Sequence, residues 1–306
     1  MKKLLFVINP TAGKGKAGVD LFDMTDIFTK AGYDTVVHPV QRQEYIIDYI
    51  AEVGGDYDMI VCAGGDGTLD KTATGFMKLK EKTDKEITLG YIPCGSTNDY
   101  ARSLGISLIP LKAAEQIAAG RPVPIDLGMM NGDPFIYIAA FGLFTNVSYN
   151  TSQELKNALG HSAYILEGMK ELTNIKVFKI EASFDDRLVT GEYIYGQVTN
   201  TLSVGGFKML ANKEVIFNDG LFECILIRTP HSYEDLKRIF NALITGENDD
   251  ELMYYEKARN VRIKSSEPIS WTIDGEFGGE TDDARIEVLY RKIPMVLEGT
   301  SGFIDV

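Results

Sequence analysis

Gly64-Gly65-Asp66-Gly67-Thr68 directly follows the apolar run Met59–Ala63. Glycine has no Cβ, so peptide N–H groups in such a segment can approach a phosphate closely. The residues that follow, Leu69–Lys78, predict a helix whose N-terminus favours anions. Asp66 is the odd member. A carboxylate among phosphate-facing amides makes chemical sense when a cation such as Mg²⁺ lies between the two. Taken alone, the same five residues also read as a glycine turn with an acidic N-cap.

Other segments offer related chemistry. Asn9-Pro10-Thr11-Ala12-Gly13-Lys14-Gly15-Lys16 follows the apolar run Leu4–Ile8. It resembles a phosphate loop without matching G-x-x-x-x-G-K-[ST]. Pro93-Cys94-Gly95-Ser96-Thr97-Asn98-Asp99-Tyr100 follows the predicted strand Ile87–Ile92. Gly95 permits close approach, Ser96, Thr97 and Asn98 supply hydroxyl and amide groups, and Asp99 is a second carboxylate. Thr97 or Asn98 also reads as the N-cap of a following helix. Far along the chain, Asp274-Gly275 reads on its own as a hairpin turn, since Asp-Gly is a strong type I′ signal.

The elements that must position these residues fall into two groups. Strand signals at Leu4–Ile8, Thr35–Val40, Met59–Ala63 and Ile87–Ile92 alternate with helix signals at Val19–Ala31, Tyr45–Val53, after Thr68, Tyr100–Leu104 and Pro110–Ala119. That alternation predicts a parallel sheet covered on both faces. Ligands of such sheets bind at the carboxyl ends of the strands, where both glycine loops and Asn9-Pro10 fall. From about Met129 the pattern becomes short β-type runs: Phe135–Ala140, Val177–Phe184, Glu192–Asn200, Val215–Phe217, Leu221–Arg228, Asn260–Lys264, Ser270–Ile273, Ala284–Tyr290 and Pro294–Leu297. Turn signals separate them, among them Asn218-Asp219-Gly220, Asp274-Gly275 and Phe277-Gly278-Gly279. Helices are predicted at Gln153–Leu172 and Ser232–Thr245.

The expected architecture is α/β plus β. A nucleotide-binding, parallel-sheet α/β domain covers residues 1–128 and an antiparallel β-sandwich substrate domain covers 129–306. Whether Gly299–Val306 return to the first domain is left open.

Bulk properties narrow the function. The 306 residues carry a net charge of −13, which argues against nucleic acid as a partner, since that needs a basic footprint. The three cysteines, Cys62, Cys94 and Cys224, lack metal-ligand spacing, and their odd count closes no disulfide framework. A reducing cytoplasm is the expected compartment. The longest apolar run, Phe135–Phe144, is too short to span a bilayer, so contact with a membrane is expected to be peripheral. The acidic run Glu247–Glu251 is expected to be a solvated loop.

Asn9-Pro10-x-x-Gly13, Gly64-Gly65-Asp66-Gly67-Thr68 and Gly95-Ser96-Thr97-Asn98-Asp99, in this order, resemble the diacylglycerol kinase catalytic-domain family. That family includes bacterial lipid kinases and the related sphingosine and ceramide kinases. Ile125-Asp126-Leu127-Gly128, Gly205-Gly206, Asp219-Gly220-Leu221 and Ile273-Asp274-Gly275-Glu276 extend the likeness over nearly the whole chain. The GGDGT block alone is shared with NAD kinases and, in variant form, with phosphofructokinases. The first domain is accordingly expected to be NAD kinase/phosphofructokinase-like.

The resemblance implies an ATP- and Mg²⁺-dependent kinase acting on a hydroxyl of a membrane lipid such as diacylglycerol. It puts ATP phosphates across Gly64, Gly65, Gly67, Thr68 and the loop of Gly95, Ser96, Thr97 and Asn98, with Asn9 and Thr11 helping to hold the nucleotide. Asp66, Asp99 and Asp126 would organise Mg²⁺. Asp274 would accept the substrate hydroxyl's proton, with Glu276 in the same site. A second, structural Mg²⁺ would use Asp219 and the Leu221 carbonyl, with Glu214 or Asn218 as candidates for a further ligand. Val40-Gln41-Arg42 could contact the base or ribose. An NAD kinase-like phosphotransferase acting on a soluble substrate and a non-catalytic nucleotide- or lipid-binding protein remain as alternatives, and a homodimer is open. The net charge of −13 repels an anionic membrane, so contact would need a basic face or apolar residues near the cleft such as Phe141, Phe144, Phe207 and Met209, although each of these reads first as a core residue.

Overall fold

The computed structural model describes residues 1–12, 16–143, 176–202, 204, 214–247, 249–299 and 301–304. The expected helix Gln153–Leu172, the Gly13-Lys14-Gly15 stretch, Gly205-Gly206 and the side chains Phe144, Phe207 and Met209 lie outside the described residues.

The N-terminal unit is a mixed α/β layer. Strands β1 (Lys2–Ile8), β2 (Tyr33–Pro39), β3 (Met59–Gly64) and β4 (Thr88–Pro93) run β4-β3-β1-β2, each neighbouring pair in parallel register. In β1 and β3 the run of apolar side chains is buried continuously rather than alternately. Continuous burial follows from helices on both faces of a central strand. The helices are α1 (Lys16–Val19), α2 (Leu21–Lys30), α3 (Glu44–Val53), α4 (Asp66–Lys80), α5 (Asp99–Ser103) and α6 (Pro110–Ala119). Helix α4 packs on α3 and β3, and α6 packs on α2 and β4. The helix expected over Val19–Ala31 is α2, with the short α1 preceding it across Asp20.

The C-terminal unit is β-rich. Its strands are β5 (Arg121–Met130), β6 (Asp133–Phe135), β7 (Ile138–Gly142), β8 (Phe178–Phe184), β9 (Arg187–Thr199), β10 (Phe222–Arg228), β11 (Met253–Ala258), β12 (Asn260–Ile273) and β13 (Glu276–Leu297). They pair antiparallel with one another. Helix α7 (Tyr233–Thr245) begins at a capping box, in which Ser232 Oγ accepts from the Asp235 amide and the Asp235 carboxylate accepts from the Ser232 amide. A separate aromatic core fills this unit. Phe141 lies 5.0 Å from Trp271 between ring centroids and 5.3 Å from Phe178. Phe141 is therefore core, not a membrane contact.

The two units share a sheet. Strand β13 pairs antiparallel with β12 and β5, then lies parallel to β4 where Met295 meets Leu89. One strand thus runs from the β-rich unit into the first sheet. Behind it, Gly302 and Ile304 bind the loop at Phe217 and Asn218.

Several elements differ from expectation for identifiable reasons. Phe135–Ala140 is not one strand, because the amides of Ile136, Tyr137 and Ile138 leave the ladder to donate to Asp274. Val215–Phe217 is not a strand, since the Phe217 amide is taken by the Gly302 carbonyl. Phe277-Gly278-Gly279 is not a turn but lies inside β13, beside a register shift in β12 between Ser270 and Thr272. Asp249 and Glu251 of the acidic run both bind Arg238 of α7. Among the described residues no helix is long and apolar enough to cross a membrane.

Candidate active site

Gly65 is the N-cap of α4 and Asp66 its first residue, with no side chain capping the free amides. The helix N-terminus therefore keeps N–H donors for an incoming anion. Close packing explains the glycines. A Cβ on Gly64 would lie 2.3 Å from Thr68 Oγ1, and one on Gly95 would lie 2.6 Å from the Gly65 Cα. The loops ending β3 and β4 consequently touch backbone to backbone, which only glycine permits.

Asn98 fixes the second loop. Its Oδ1 accepts from the Gly95 amide and its Nδ2 donates to the Gly95 carbonyl, both at 2.9 Å. It stands at φ +52°, in the left-handed region that Asn tolerates. Asn98 is indeed the residue before α5, but its side chain holds Gly95 instead of capping the helix. Ser96 is exposed at the tip and Thr97 is half-buried beside it. On the first loop, Asn9 Oδ1 accepts from both the amide and hydroxyl of Thr11, at 3.1 and 2.8 Å, and Asn9 Nδ2 reaches Thr68 Oγ1 at 3.4 Å.

Asp66 receives the Asn98 and Asp99 amides, and Tyr91 Oη lies 3.4 Å from its Oδ1. Burial, and then the charge of Asp99, push its carboxyl up to about 6, against the pull of those donors. A half-buried carboxylate raised by the charge of a buried one beside it makes a hard-oxygen pair that a divalent cation would relieve. Among the described residues no group of three His, Cys, Asp or Glu gathers for a metal. The pair suits a Mg²⁺ that keeps water and phosphate oxygens as its other ligands.

Asp274 comes to the same place from the other unit. Asp274 and Gly275, at φ +47° and +86°, turn the hairpin between β12 and β13. The hairpin reading of Asp-Gly therefore holds, and the turn residue is itself buried, 2% exposed. One carboxylate oxygen accepts from Ile136 at 2.6 Å and the other from Tyr137 and Ile138 at 3.0 Å each. Burial raises its carboxyl well above the usual range, Asp70 raises it further, and the three amides oppose both. Glu276 reaches the start of α4, since a Cβ on Gly67 would lie 3.1 Å from Glu276 Oε1.

Sequence reasoning missed the residues that join the two halves. Lys71 Nζ lies 2.8 Å from Asp70 Oδ2 and 2.7 Å from Glu276 Oε2. Burial works against the Lys71 charge, yet Asp70 and Glu276 together hold its pKa above the usual value. Asp70 was findable, because it lies four residues after Asp66 on the same helix, and such positions share a face. Tyr91 carries no comparable signal.

Asp126 is held by backbone amides, and among the described residues it gathers into no three-carboxylate group with Asp66 and Asp99. Its oxygens accept from the Gly220 amide at 2.6 Å and the Arg291 amide at 2.7 Å. It thereby fastens the Asp219 loop to β13. In that loop Asp219 Oδ1 accepts from the Leu221 amide. Lys257 Nζ lies 3.9 Å from Asp219, 3.2 Å from the buried Glu223 and 2.7 Å from the Glu214 carbonyl. An ammonium thus already stands against these oxygens. The Asn218 amide is engaged at both ends with Ile304.

Glycine loops around a helix N-terminus, a carboxylate pair beside them and a buried carboxylate facing them form a site of phosphotransferase type. Residues 3–130 match the family model for the diacylglycerol kinase catalytic domain, and residues 140–297 match that for the YegS C-terminal NAD kinase beta sandwich-like domain. The chain is 36% identical to a diacylglycerol kinase of Bacillus subtilis (strain 168), covering 97% of each chain. It is 33% identical to a diacylglycerol kinase of Staphylococcus carnosus (strain TM300), covering 91% of this chain and 90% of the other. A crystal structure of a candidate diacylglycerol kinase from Bacillus anthracis str. Sterne superposes with TM-score 0.81 at 25% identity, covering 98% of this chain and 96% of that one. The chain belongs to the diacylglycerol kinase family, and is a lipid kinase.

Proposed function

We propose that this kinase transfers the γ-phosphoryl group of ATP to a hydroxyl of a membrane lipid such as diacylglycerol. The observation that carries this reading is the meeting of the Asp274–Glu276 hairpin with the N-terminus of α4. It supports an acceptor group on the β-rich side facing phosphate donors on the α/β side. Gly65, Gly67, Thr68 and the Gly95–Asn98 loop face the phosphates, and Asn9 and Thr11 shape the neighbouring turn. Asp66 and Asp99 would hold Mg²⁺, which neutralises charge on the transferring group. Asp274 takes the proton of the lipid hydroxyl. That oxygen's lone pair forms the new bond to the γ-phosphorus, and the bond to the bridging oxygen breaks with its electrons leaving on ADP. Lys71 keeps Glu276 and Asp70 neutralised beside the reacting groups.

The finer reading of the fold accompanies this assignment. Residues 1–128 serve as the parallel-sheet nucleotide domain, and 129–306 as the antiparallel sandwich that receives lipid. The protein works in the cytoplasm with peripheral membrane contact, as a monomer or homodimer. Phosphate transfer from labelled ATP to diacylglycerol, sphingoid base and phosphatidylglycerol micelles tests the reading, with NAD and a soluble alcohol as controls. Labelled lipid is expected. Labelling of a soluble acceptor with no lipid product overturns it.

A further inference from the structure

Asp274 has a neighbour the phosphoryl-transfer scheme does not use. Asp70, on α4, is 5% exposed and lies within hydrogen-bonding reach of the Asp274 carboxylate. The two are held there from opposite sides. Three amides of the β6–β7 connection fix Asp274, and Lys71 fixes Asp70 while also binding Glu276. Two carboxylates at such range in a buried site do not both ionise freely, and they titrate as a pair. The other groups around the pair are Lys71 from α4 and Glu276 from the hairpin, which face Asp70, and Tyr137 from the β6–β7 connection and Tyr100 from α5, which face Asp274. Lys71 is the one cation among them.

We propose that Asp70 is a positioning residue for Asp274, forming with it a carboxyl pair that holds one proton and so sets the pH above which Asp274 can accept the lipid hydroxyl's proton. The proposal rests on the reading of Asp274 as proton acceptor. Below the upper titration of the pair, the shared proton occupies Asp274 and transfer is slow. Above it, both carboxylates are ionised, and the repulsion from Asp70 makes Asp274 a stronger base. During the reaction the proton leaving the lipid hydroxyl enters the pair, and it departs to solvent after ADP and product leave.

The direction of the effect is fixed by charge. Asp70→Asn removes the repelling charge and offers an amide N–H to Asp274, so Asp274 ionises at lower pH. The test is the pH profile of kcat/KM with dioleoylglycerol in detergent micelles for wild type, D70N and D274N. The acidic limb of D70N is expected to lie lower than that of wild type by about one pH unit or more, with plateau activity within about tenfold. An unmoved limb in folded D70N overturns the proposal, as does loss of activity at every pH. The base reading is tested separately by D274N. If D274N turns over normally, that reading fails and the pair proposal falls with it. Carboxyl titration of the unaltered protein by ¹³C NMR reads the same pair should D70N fail to fold. One carboxyl of the pair is expected to stay protonated above about pH 5, and ionisation of both below that pH overturns the proposal.

Discussion

Lys71 Nζ on α4 and Glu276 Oε2 on the β12–β13 hairpin stand 2.7 Å apart, joining the glycine-loop half of the site to the half that carries Asp274. The ammonium also binds Asp70 at 2.8 Å. Two backbone elements nearly two hundred residues apart in the chain are thus tied by one side chain.

Breaking this tie should be read in activity more than in stability. The pair is part-exposed, so its contribution to folding is modest, about 1 kcal/mol or less. Lys71→Met and Glu276→Gln are each expected to lower kcat/KM by roughly 5–30-fold, which is about 1–2 kcal/mol of lost positioning. A double-mutant cycle checks this. The effect of the double variant should fall well short of the product of the single effects, and full additivity would mean that the contact does not position the site.

Asp66 and Asp126 should respond unequally to the same change. Asp126 accepts two short amide hydrogen bonds in a buried position, so Asp126→Asn sets an N–H₂ group against a donor and should cost about 1–3 kcal/mol of stability. Asp66 is a half-buried carboxylate that accepts the Asn98 and Asp99 amides and is repelled by the Asp99 charge. Asp66→Asn loses those bonds but also the repulsion, so its nucleotide-free melting temperature should fall less than that of Asp126→Asn, while Mg²⁺-dependent ATP binding weakens. Calorimetric melts and titrations of the two variants side by side measure both effects.

The strand ends were legible because glycine spacing and continuous apolar runs report directly on backbone approach and burial. Gly64–Thr68 and Gly95–Asp99 were found that way, as was the Ser232–Thr245 helix. The split of Phe135–Ala140 was not legible, because it depends on the Asp274 carboxylate, far along the chain, drawing three amides out of the ladder. Nor was β5, whose run holds Pro122 and Pro124; the strand is tolerated along β13 in antiparallel pairing. The bonding of Asp126 was hidden for a related reason. Spacing along a chain says which residues lie at strand ends but not which amides will claim them, and the Gly220 and Arg291 amides claimed Asp126.

The Ser232 cap gives a clean stability prediction away from the site. Ser232→Ala removes an oxygen that accepts from the Asp235 amide at 3.0 Å. The expected cost is about 1 kcal/mol, a fall in Tm of roughly 2–4 °C, with kcat/KM unchanged. A scanning calorimetry trace with a parallel kinase assay decides it.

The thiols give a further check. Cys62, Cys94 and Cys224 are free and buried. Burial pushes Cys62 up to about 12 and Cys94 to about 11, and raises Cys224 as well. Since the thiolate is the reactive form, none should react with a disulfide reagent at pH 8 in the native protein. All three should react on denaturation. Rapid native labelling of any one would show that its burial is transient.

The most direct test of the account is Asp274→Asn, assayed for ATP binding and lipid phosphorylation on the same preparation. If the acceptor half and the nucleotide half are separate parts meeting at α4, Mg²⁺–ATP should bind with near wild-type affinity while lipid phosphorylation falls by about 10²–10⁴-fold. Lipid phosphorylation near the wild-type rate would contradict it.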